Sequence, residues 1–373
     1  MKRINLKEYS KSMKLLLVFD VLIKTEILAI NKDAFLESKS IAPSSYRRAR
    51  TKEQKVGDEI VHTLSKHFEL KLCNDSYIEQ LETLVSNIYF DINYRVIENH
   101  SKYIEILDKL LEEKPILFPI LKLIKLFVIT FYDGDLTELV NTYSSEFDYI
   151  SQFQSFFSDE LLEIFDLLKL SYSSTFTKEM LAKQYKNGIS YSVISAKHCA
   201  EKKYYDSLFF ALKAKSIFLS ENNYRRCISI NFTILNNLAS TGNFEEYYNV
   251  SYEQIQTMKS FNITTEEYLT CQNHPIISSL SLKKYDEVCE LIKNNPKITL
   301  TGMFCYIIAM FHLKKNGFEN WYIAFVTKNK FTDEVKYICD TLIDYISAPE
   351  KKKMAEIEKF RIMPTLIEIL RWA

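Results

Sequence analysis

The chain has 373 residues, in which 48 Lys and Arg are balanced by 48 Asp and Glu. This length supports two or three domains and a large core. Its six Gly and seven Pro are far below average usage of about 7% and 5%. So few chain-breaking residues exclude a fold built of tight hairpins, and they predict an all-α protein of long helices with short connections.

Charge is unevenly distributed along the chain. Residues 1–70 hold 14 Lys and Arg against 9 Asp and Glu, a net +5, and the remaining 34 and 39 give −5. A basic N-terminal segment on an acidic body suits a protein that touches a polyanion at one end. A chance imbalance is the alternative.

The cysteines and the apolar segments indicate a cytoplasmic protein that does not enter a membrane. Seven cysteines are scattered without a CxxC or CxxH motif and without a secretory signal, which favours a reducing compartment. The most apolar window, Pro115–Tyr132, holds two prolines and two lysines on one helical face. We therefore expect a buried helix there rather than a membrane span.

The first 70 residues predict a helix-turn-helix head. Apolar spacing predicts a helix over 6–28, and Asn31 can cap a short second helix. Pro43 cannot continue that helix but suits the start of the next, which we expect at Ser44–Arg50. Thr51–Gln54 then matches a capping box for another helix.

The helix Ser44–Arg50 concentrates three of the chain's nine arginines. A second short helix after a tight turn is the element that such motifs place in the major groove. Arg can bond guanine or phosphate in a bidentate manner, and Ser and Tyr hydroxyls can bond phosphate. The predicted contacts to double-stranded DNA are Ser44, Ser45, Tyr46, Arg47, Arg48 and Arg50. The alternatives are a solvated basic helix or a surface for a protein partner.

The pattern Ile41-x-x-Ser44-Ser45-Tyr46-x-Arg48, followed by apolar residues at 60, 64, 68 and 70, resembles helices three to five of the Xre/Cro-type helix-turn-helix. A head followed by helical repeats resembles the RRNPP group of peptide-sensing regulators, the Rgg-, PlcR- and AimR-like proteins. The head lacks that family's Gln at the start of the second helix and its Glu-x-Gly after the recognition helix. The resemblance therefore implies a role for the helix Ser44–Arg50 as a whole and for no single base contact.

Residues 71–185 predict irregular helical repeats that begin after a joint at 71–75. Ser76–Glu79 matches a capping box, which predicts a long helix to about His100. Further helices are expected at about 101–113, 116–132, 136–147 and 152–172, with a tight turn at Asp133–Asp135.

Residues 186–373 predict a TPR-like repeat domain. Four turns join an aromatic residue directly to an acid, with the aromatics at Tyr205, Phe244, Tyr285 and Phe318. Their separations of 39, 41 and 33 residues are typical of helix-pair repeats. We expect the acid to lie in the first turn of a helix and the aromatic to fill the space between two helices. The fold predicted is a right-handed TPR-like α-solenoid with a capping helix at Ile362–Trp372.

A stack of helix pairs forms a concave groove, in which side-chain amides and arginines can hold an extended peptide. The predicted peptide-binding residues are Arg225, Arg226, Asn231, Asn236 and Asn237. Asn231 stands where the helical stripe calls for an apolar residue, so its amide needs a partner. The alternatives are a bond to a neighbouring helix or exposure to solvent.

No P-loop, GxGxxG, GxSxG or HExxH motif occurs, so we expect no catalytic residues, no metal site and no cofactor. The sequence predicts a homodimeric transcriptional regulator that binds double-stranded DNA and senses a short signalling peptide. One alternative is a helical-repeat adaptor that inhibits a protein partner without binding DNA. A scaffold with no small ligand is another.

Overall fold

The computed structural model describes residues 4–26, 31–51, 54–96, 98–132, 136–173, 187–261, 271–294 and 299–360, with 366–367 and 370. Over these ranges the protein is all-α and has no β-strand, and Lys71 and Pro115 form one isolated bridge. The chain divides into two compact units, Met1–Tyr185 and Lys186–Ala373.

Helices of the first unit are α1 (Ser12–Glu26), α2 (Lys32–Ser38), α3 (Pro43–Ala49), α4 (Gln54–His67), α5 (Asp75–Tyr94), α6 (His100–Glu112), α7 (Phe118–Tyr132), α8 (Leu136–Ser151) and α9 (Asp159–Tyr172). Short 3-10 helices lie at Lys7–Ser10 and Gln154–Phe156. The second unit contains α10 (Gly188–Ala200), α11 (Tyr204–Ser220), α12 (Tyr224–Ser240), α13 (Phe244–Ser260), α14 (Asn273–Ser281), α15 (Tyr285–Lys293), α16 (Leu300–Lys314), α17 (Phe318–Asn329), α18 (Asp333–Ser347) and α19 (Lys351–Ile357), with a 3-10 turn at Lys315–Gly317.

The predicted head is not separate from the helices that follow it, since residues 1–70 and 71–185 belong to one compact unit. The backbone N–H of Leu6 donates to the Glu82 carboxylate at 3.1 Å. The Tyr9 hydroxyl donates to the Phe156 carbonyl at 3.0 Å. These two bonds hold the first turn apart from the rest of the predicted first helix, so α1 begins only at Ser12.

The expected joint at 71–75 is also fastened to the first unit. The Lys71 N–H donates to the Lys114 carbonyl at 2.9 Å, and the Lys71 carbonyl accepts from the Ile116 N–H at 2.8 Å. These bonds join the end of α4 to the start of α7. Asn74, not Ser76, caps α5 by accepting from the Tyr77 N–H.

The helix expected to reach about residue 100 instead ends at Tyr94. Arg95 adopts a left-handed backbone with φ 53° and closes the helix. A separate helix, α6, then begins at His100. The predicted turn Asp133–Asp135 lies outside the described residues.

Local chemistry predicted the start of α2 and α3. The Asn31 side chain accepts from the Asp33 N–H and caps α2, as expected. The turn after α2 passes through Ser40 at φ 60°, and Ile41 donates its N–H to the Leu36 carbonyl. Pro43 is the first residue of α3. The predicted capping box Thr51–Gln54 includes residues 52 and 53, which lie outside the described residues.

Helices α1 and α4 pack closely against each other, and α3 packs against α4. A Cβ on Gly57 would lie 2.8 Å from the Ser12 hydroxyl, so only glycine fits that crossing. The Ser12 hydroxyl donates to Asp58 at 2.6 Å. Ala49 of α3 lies buried beside Gly57.

Four turns of the second unit share one backbone arrangement. Each contains a left-handed residue, namely Lys202, Asn222, Gly242 and Lys283, with φ of 60°, 54°, 72° and 59°. The next residue donates its N–H to a carbonyl five residues earlier at 2.8–2.9 Å. This is a Schellman-type helix end, which satisfies carbonyls that the helix leaves open. An aromatic residue then opens the following helix.

The repeat pattern differs in part from the expectation. Acids do lie in the first turn of α11, α13, α15 and α17, as predicted. Tyr205, however, is 76% exposed, because the aromatic at the first helical position is its neighbour Tyr204. Tyr224 opens α12 in the same way, so α11, α12 and α13 start 20 residues apart.

Consecutive helices from α10 to α17 pack against one another, as do α18 and α19. In addition, α10 contacts α12, α14 contacts α16 and α16 contacts α18. Most of the predicted capping helix Ile362–Trp372 lies outside the described residues, although Leu366 and Leu370 are buried. In the described ranges, no helix combines the length and apolar character needed to cross a membrane. The most apolar candidate, α7, is buried along most of its length.

Candidate functional site

Helix α3 is held in place by Tyr46, which is only 2% exposed. Its hydroxyl lies 3.1 Å from the Leu16 carbonyl oxygen and 2.9 Å from Oδ1 of Asp20. Burial, together with the Asp20 charge, raises the pKa of Tyr46 above its ordinary value, so the hydroxyl stays protonated and donates. The predicted phosphate contact of Tyr46 is corrected: its hydroxyl is used inside the protein.

The Asp20 carboxylate of α1 makes most of the contacts that hold α3 in place. Its Oδ1 lies 2.5 Å from the Lys32 ammonium, and its Oδ2 lies 3.2 Å from Nε of Arg50. The Lys32 ammonium also lies 4.6 Å from the centre of the Tyr46 ring. One carboxylate on α1 therefore binds side chains from α2, from α3 and from the residue that ends α3.

Arg50 helps to hold the end of α3 against α1. Besides its ion pair with Asp20, its Nη1 lies 3.4 Å from the Met13 carbonyl oxygen. Both contacts turn the guanidinium towards α1. Arg50 therefore has a positioning role in the structure, and its contact with DNA stays a prediction. The sequence patterns did not identify Asp20 or Lys32 as positioning residues. Asp20 interrupts the apolar run 15–23, and this interruption was the one sign that its side chain has a structural role.

Three other predicted head residues, Ser44, Arg47 and Arg48, are exposed on α3, and Ser45 is half-buried beside them. Arg47 has 72% of its side chain exposed, and its Nη2 lies 3.5 Å from Asp33. Nη2 of Arg48 lies 3.3 Å from the Ser45 hydroxyl. Ser44 is exposed one turn before both arginines, and residues spaced three and four apart share a helix face. The structure thus groups Ser44, Ser45, Arg47 and Arg48 and separates Tyr46 and Arg50 from them.

The five residues predicted to bind a peptide do not share one surface. Arg225 and Asn236 are exposed on α12. Arg226, Asn231 and Asn237 are buried on the same helix. Nδ2 of Asn237 donates to the Ser207 hydroxyl of α11 at 2.8 Å, which matches the alternative of a bond to a neighbouring helix.

Three buried amide oxygens of α12 and α13 lack a hydrogen-bond partner in the described part of the chain. They are Oδ1 of Asn231, Oδ1 of Asn237 and Oε1 of Gln254. Gln254 also directs its Nε2 towards the Ile228 carbonyl of α12 at 3.4 Å. Buried polar atoms are nearly always bonded in folded proteins, so these three oxygens are acceptors on two adjacent helices that could still receive a hydrogen bond.

His274 of α14 is a further buried polar residue of the second unit. It is fully buried, and its Nδ1 lies 2.9 Å from the Tyr247 hydroxyl. Burial lowers the pKa of His274 to about 4, so its imidazole is neutral at pH 7. The sequence did not single out Gln254 or His274. Gln254 carried the same signal as Asn231, since it stands on the stripe between the buried Val250 and Met258.

The described residues offer little to metal or thiol chemistry. Among them, no three His, Cys, Asp or Glu side chains come together to hold a metal ion. Burial raises the pKa of Cys227 to about 11 and that of Cys339 to about 12, and a protonated thiol is a poor nucleophile.

Comparison of the chain with models of protein families, with curated proteins and with solved structures found no match.

Proposed function

We propose that the protein is a transcriptional regulator that binds double-stranded DNA through α3 and a short signalling peptide through its second unit. The second unit would be a TPR-like α-solenoid, as in the RRNPP-type regulators that the sequence resembles. The observation that carries the proposal is the exposure of Ser44, Arg47 and Arg48 on a helix whose opposite side is fixed by Tyr46 and Asp20.

The geometry of the head supports the DNA-binding half. Helices α2 and α3 are seven residues each and are joined by a tight turn. A rigid short helix with arginines on its open side can enter a major groove, where the guanidinium fork matches guanine or phosphate. The exposed Ser44 at the start of the helix adds a hydroxyl for phosphate oxygens.

The unpartnered oxygens support the peptide-binding half. An extended peptide has backbone N–H groups along its length, and these are the donors that Asn231, Asn237 and Gln254 require. The oxygens are buried on α12 and α13, so a peptide reaches them only where neighbouring helices move apart. Binding would then change the spacing of the helices, which is the kind of two-state element that a sensor needs.

The test of the DNA-binding half compares two doubly substituted proteins. Arg47→Ala with Arg48→Ala removes two exposed cations from α3, while Lys328→Ala with Lys336→Ala removes two exposed cations from the second unit. Fluorescence anisotropy on genomic duplex fragments should show at least a tenfold loss of affinity for the first variant and none for the second. The slope of log K against log salt should also fall by about 2 for the first variant. Equal binding by both variants would sink the assignment of α3.

The adaptor alternative is favoured by one observation. Asp33 lies 3.5 Å from Arg47 and is half exposed, so an acid borders the basic face and would repel phosphate. An adaptor that docks a protein on this face would show no saturable binding to any duplex in the same anisotropy experiment.

A further inference from the structure

Helix α11 is apolar on a side that faces solvent. Tyr205, Phe209, Leu212 and Leu219 are 76%, 54%, 51% and 46% exposed, and Ser216 between them is exposed as well. The five positions follow steps of four and three residues, which is the spacing of a coiled-coil seam. The opposite side of the same helix, with Ala211, Ala214 and Phe218, is already buried in the second unit. We call the exposed set the α11 stripe.

We propose that the α11 stripe pairs antiparallel with the α11 stripe of a second copy of this chain. A twofold axis beside residues 210 and 211 would place Phe209 against Leu212 of the partner subunit, and Leu212 against the partner's Phe209. Tyr205 would lie against the partner's Ser216. The stripe extends over about 21 Å of helix, and a contiguous apolar seam of this kind marks an interaction surface.

The charges beside the stripe select a second copy in the antiparallel orientation. Asp206 and Lys213 are exposed along one edge of the stripe, and the Lys213 ammonium lies 4.4 Å from the centre of the Phe209 ring. Antiparallel pairing brings Asp206 beside Lys213 of the partner subunit, and the symmetry repeats that pair. Parallel pairing in register would instead leave Asp206 about 10 Å along the helix from Lys213 of the partner subunit, so this pair could not form.

The two ends of the stripe are complementary in shape. A cleft of about 400 Å³ lies at its N-terminal end, lined by Lys202, Lys203, Tyr204, Tyr205, Asp206, Ser240 and Thr241. In the antiparallel register, Leu219 of the partner subunit would lie just beyond Tyr204, the first residue of α11, beside this cleft. A twofold interface has to be self-complementary, and this surface carries both the Leu219 side chain and a cleft that could receive it.

The first test measures the mass of the full-length protein by sedimentation equilibrium, without DNA or peptide. Wild type should show twice the chain mass of 43.9 kDa. Phe209→Glu should show the mass of one chain, because a charge would be buried in the seam. Ile323→Glu is the matched control, since Ile323 is 65% exposed but lies on α17, and it should leave the wild-type mass unchanged.

A charge exchange tests the orientation. Asp206→Lys and Lys213→Asp each place like charges together and should raise the dimer Kd about tenfold at low salt. The double variant restores opposite charges across the interface and should return the Kd to within threefold of wild type. A monomeric wild type, a dimeric Phe209→Glu protein or a double variant as weak as the single ones would each overturn the proposal. None of these results bears on DNA binding, so the proposed function stands or falls separately.

Discussion

The Tyr46 hydroxyl lies 2.9 Å from Oδ1 of Asp20 and ties the middle of α3 to α1 across 26 residues of chain. The same carboxylate binds Arg50 at the end of α3. Two of the six head residues predicted from the sequence therefore hold the helix, whereas Ser44, Arg47 and Arg48 are exposed and Ser45 is half-buried. This separation makes positioning and ligand contact testable by different substitutions.

Replacing Tyr46 by Phe should lower stability without removing a DNA contact. The variant keeps the buried ring but removes the single hydroxyl proton that Asp20 and the Leu16 carbonyl share, so the free energy of unfolding should fall by about 1–2 kcal/mol. Urea unfolding measures this loss. The DNA affinity of the folded variant should stay within threefold of wild type, in contrast to Arg47→Ala with Arg48→Ala. A Tyr46→Phe protein of normal stability that no longer bound DNA would show that the hydroxyl acts on the ligand.

The sequence predicted features that depend on neighbouring residues and missed those that depend on distant ones. Asn31 and Pro43 act within their own turns, so their roles could be predicted. The partner of Tyr46 is 26 residues away, so its burial could not. Asn74 competes with Ser76 for one cap, and nothing local decides between them. The sequence likewise could not decide whether Tyr204 or Tyr205 opens α11. The left-handed residue Lys202 decides this, because it fixes where the preceding turn ends.

Asn231 and Asn237 should respond in opposite ways to replacement by Leu. Within the part of the chain that the structure describes, the buried oxygen of Asn231 has no hydrogen-bond partner, so Asn231→Leu should raise the free energy of unfolding by about 1 kcal/mol. Asn237 uses its Nδ2 to donate to Ser207, so Asn237→Leu should lower the same quantity by about 1–3 kcal/mol. Urea unfolding of the peptide-free protein measures both changes.

The same pair of variants bears on peptide binding. If the Asn231 oxygen is kept unpartnered in order to accept a peptide N–H, the more stable Asn231→Leu protein should bind peptide at least tenfold more weakly. Titration with peptides purified from culture supernatant, followed by thermal shift, reports that loss. Undiminished peptide binding by Asn231→Leu would remove this residue from the proposed site.

The buried His274 should make the second unit sensitive to mild acid. Its pKa is about 4 in the folded protein, against an ordinary 6.5. Between these values the unfolded chain binds a proton that the folded chain does not, so stability is full above pH 6.5 and falls as the pH falls towards 4. Between pH 7 and pH 5 this loss is on the order of 2 kcal/mol. His274→Gln should reduce the difference in unfolding free energy between those two pH values by that amount, whereas the exposed control His62→Gln should not. Equal pH dependence in all three proteins would contradict the buried neutral state.

Adding a side chain at Gly242 should destabilise the turn in which it lies. Its φ of 72° lies in the left-handed region, which Lys202, Asn222 and Lys283 also occupy with side chains present. Gly242→Ala should lower the free energy of unfolding by about 1 kcal/mol, because a Cβ is disfavoured in that region. Gly242→Asn should cost less, since Asn tolerates this conformation and already serves at the equivalent Asn222. The reverse change, Lys202→Gly, should be within about 1 kcal/mol of neutral, because relief of the turn is offset by a more flexible unfolded chain. Urea midpoints at an unchanged slope would rank the three variants. If Gly242→Ala proved as stable as Gly242→Asn, the left-handed backbone at this turn would not be the cause.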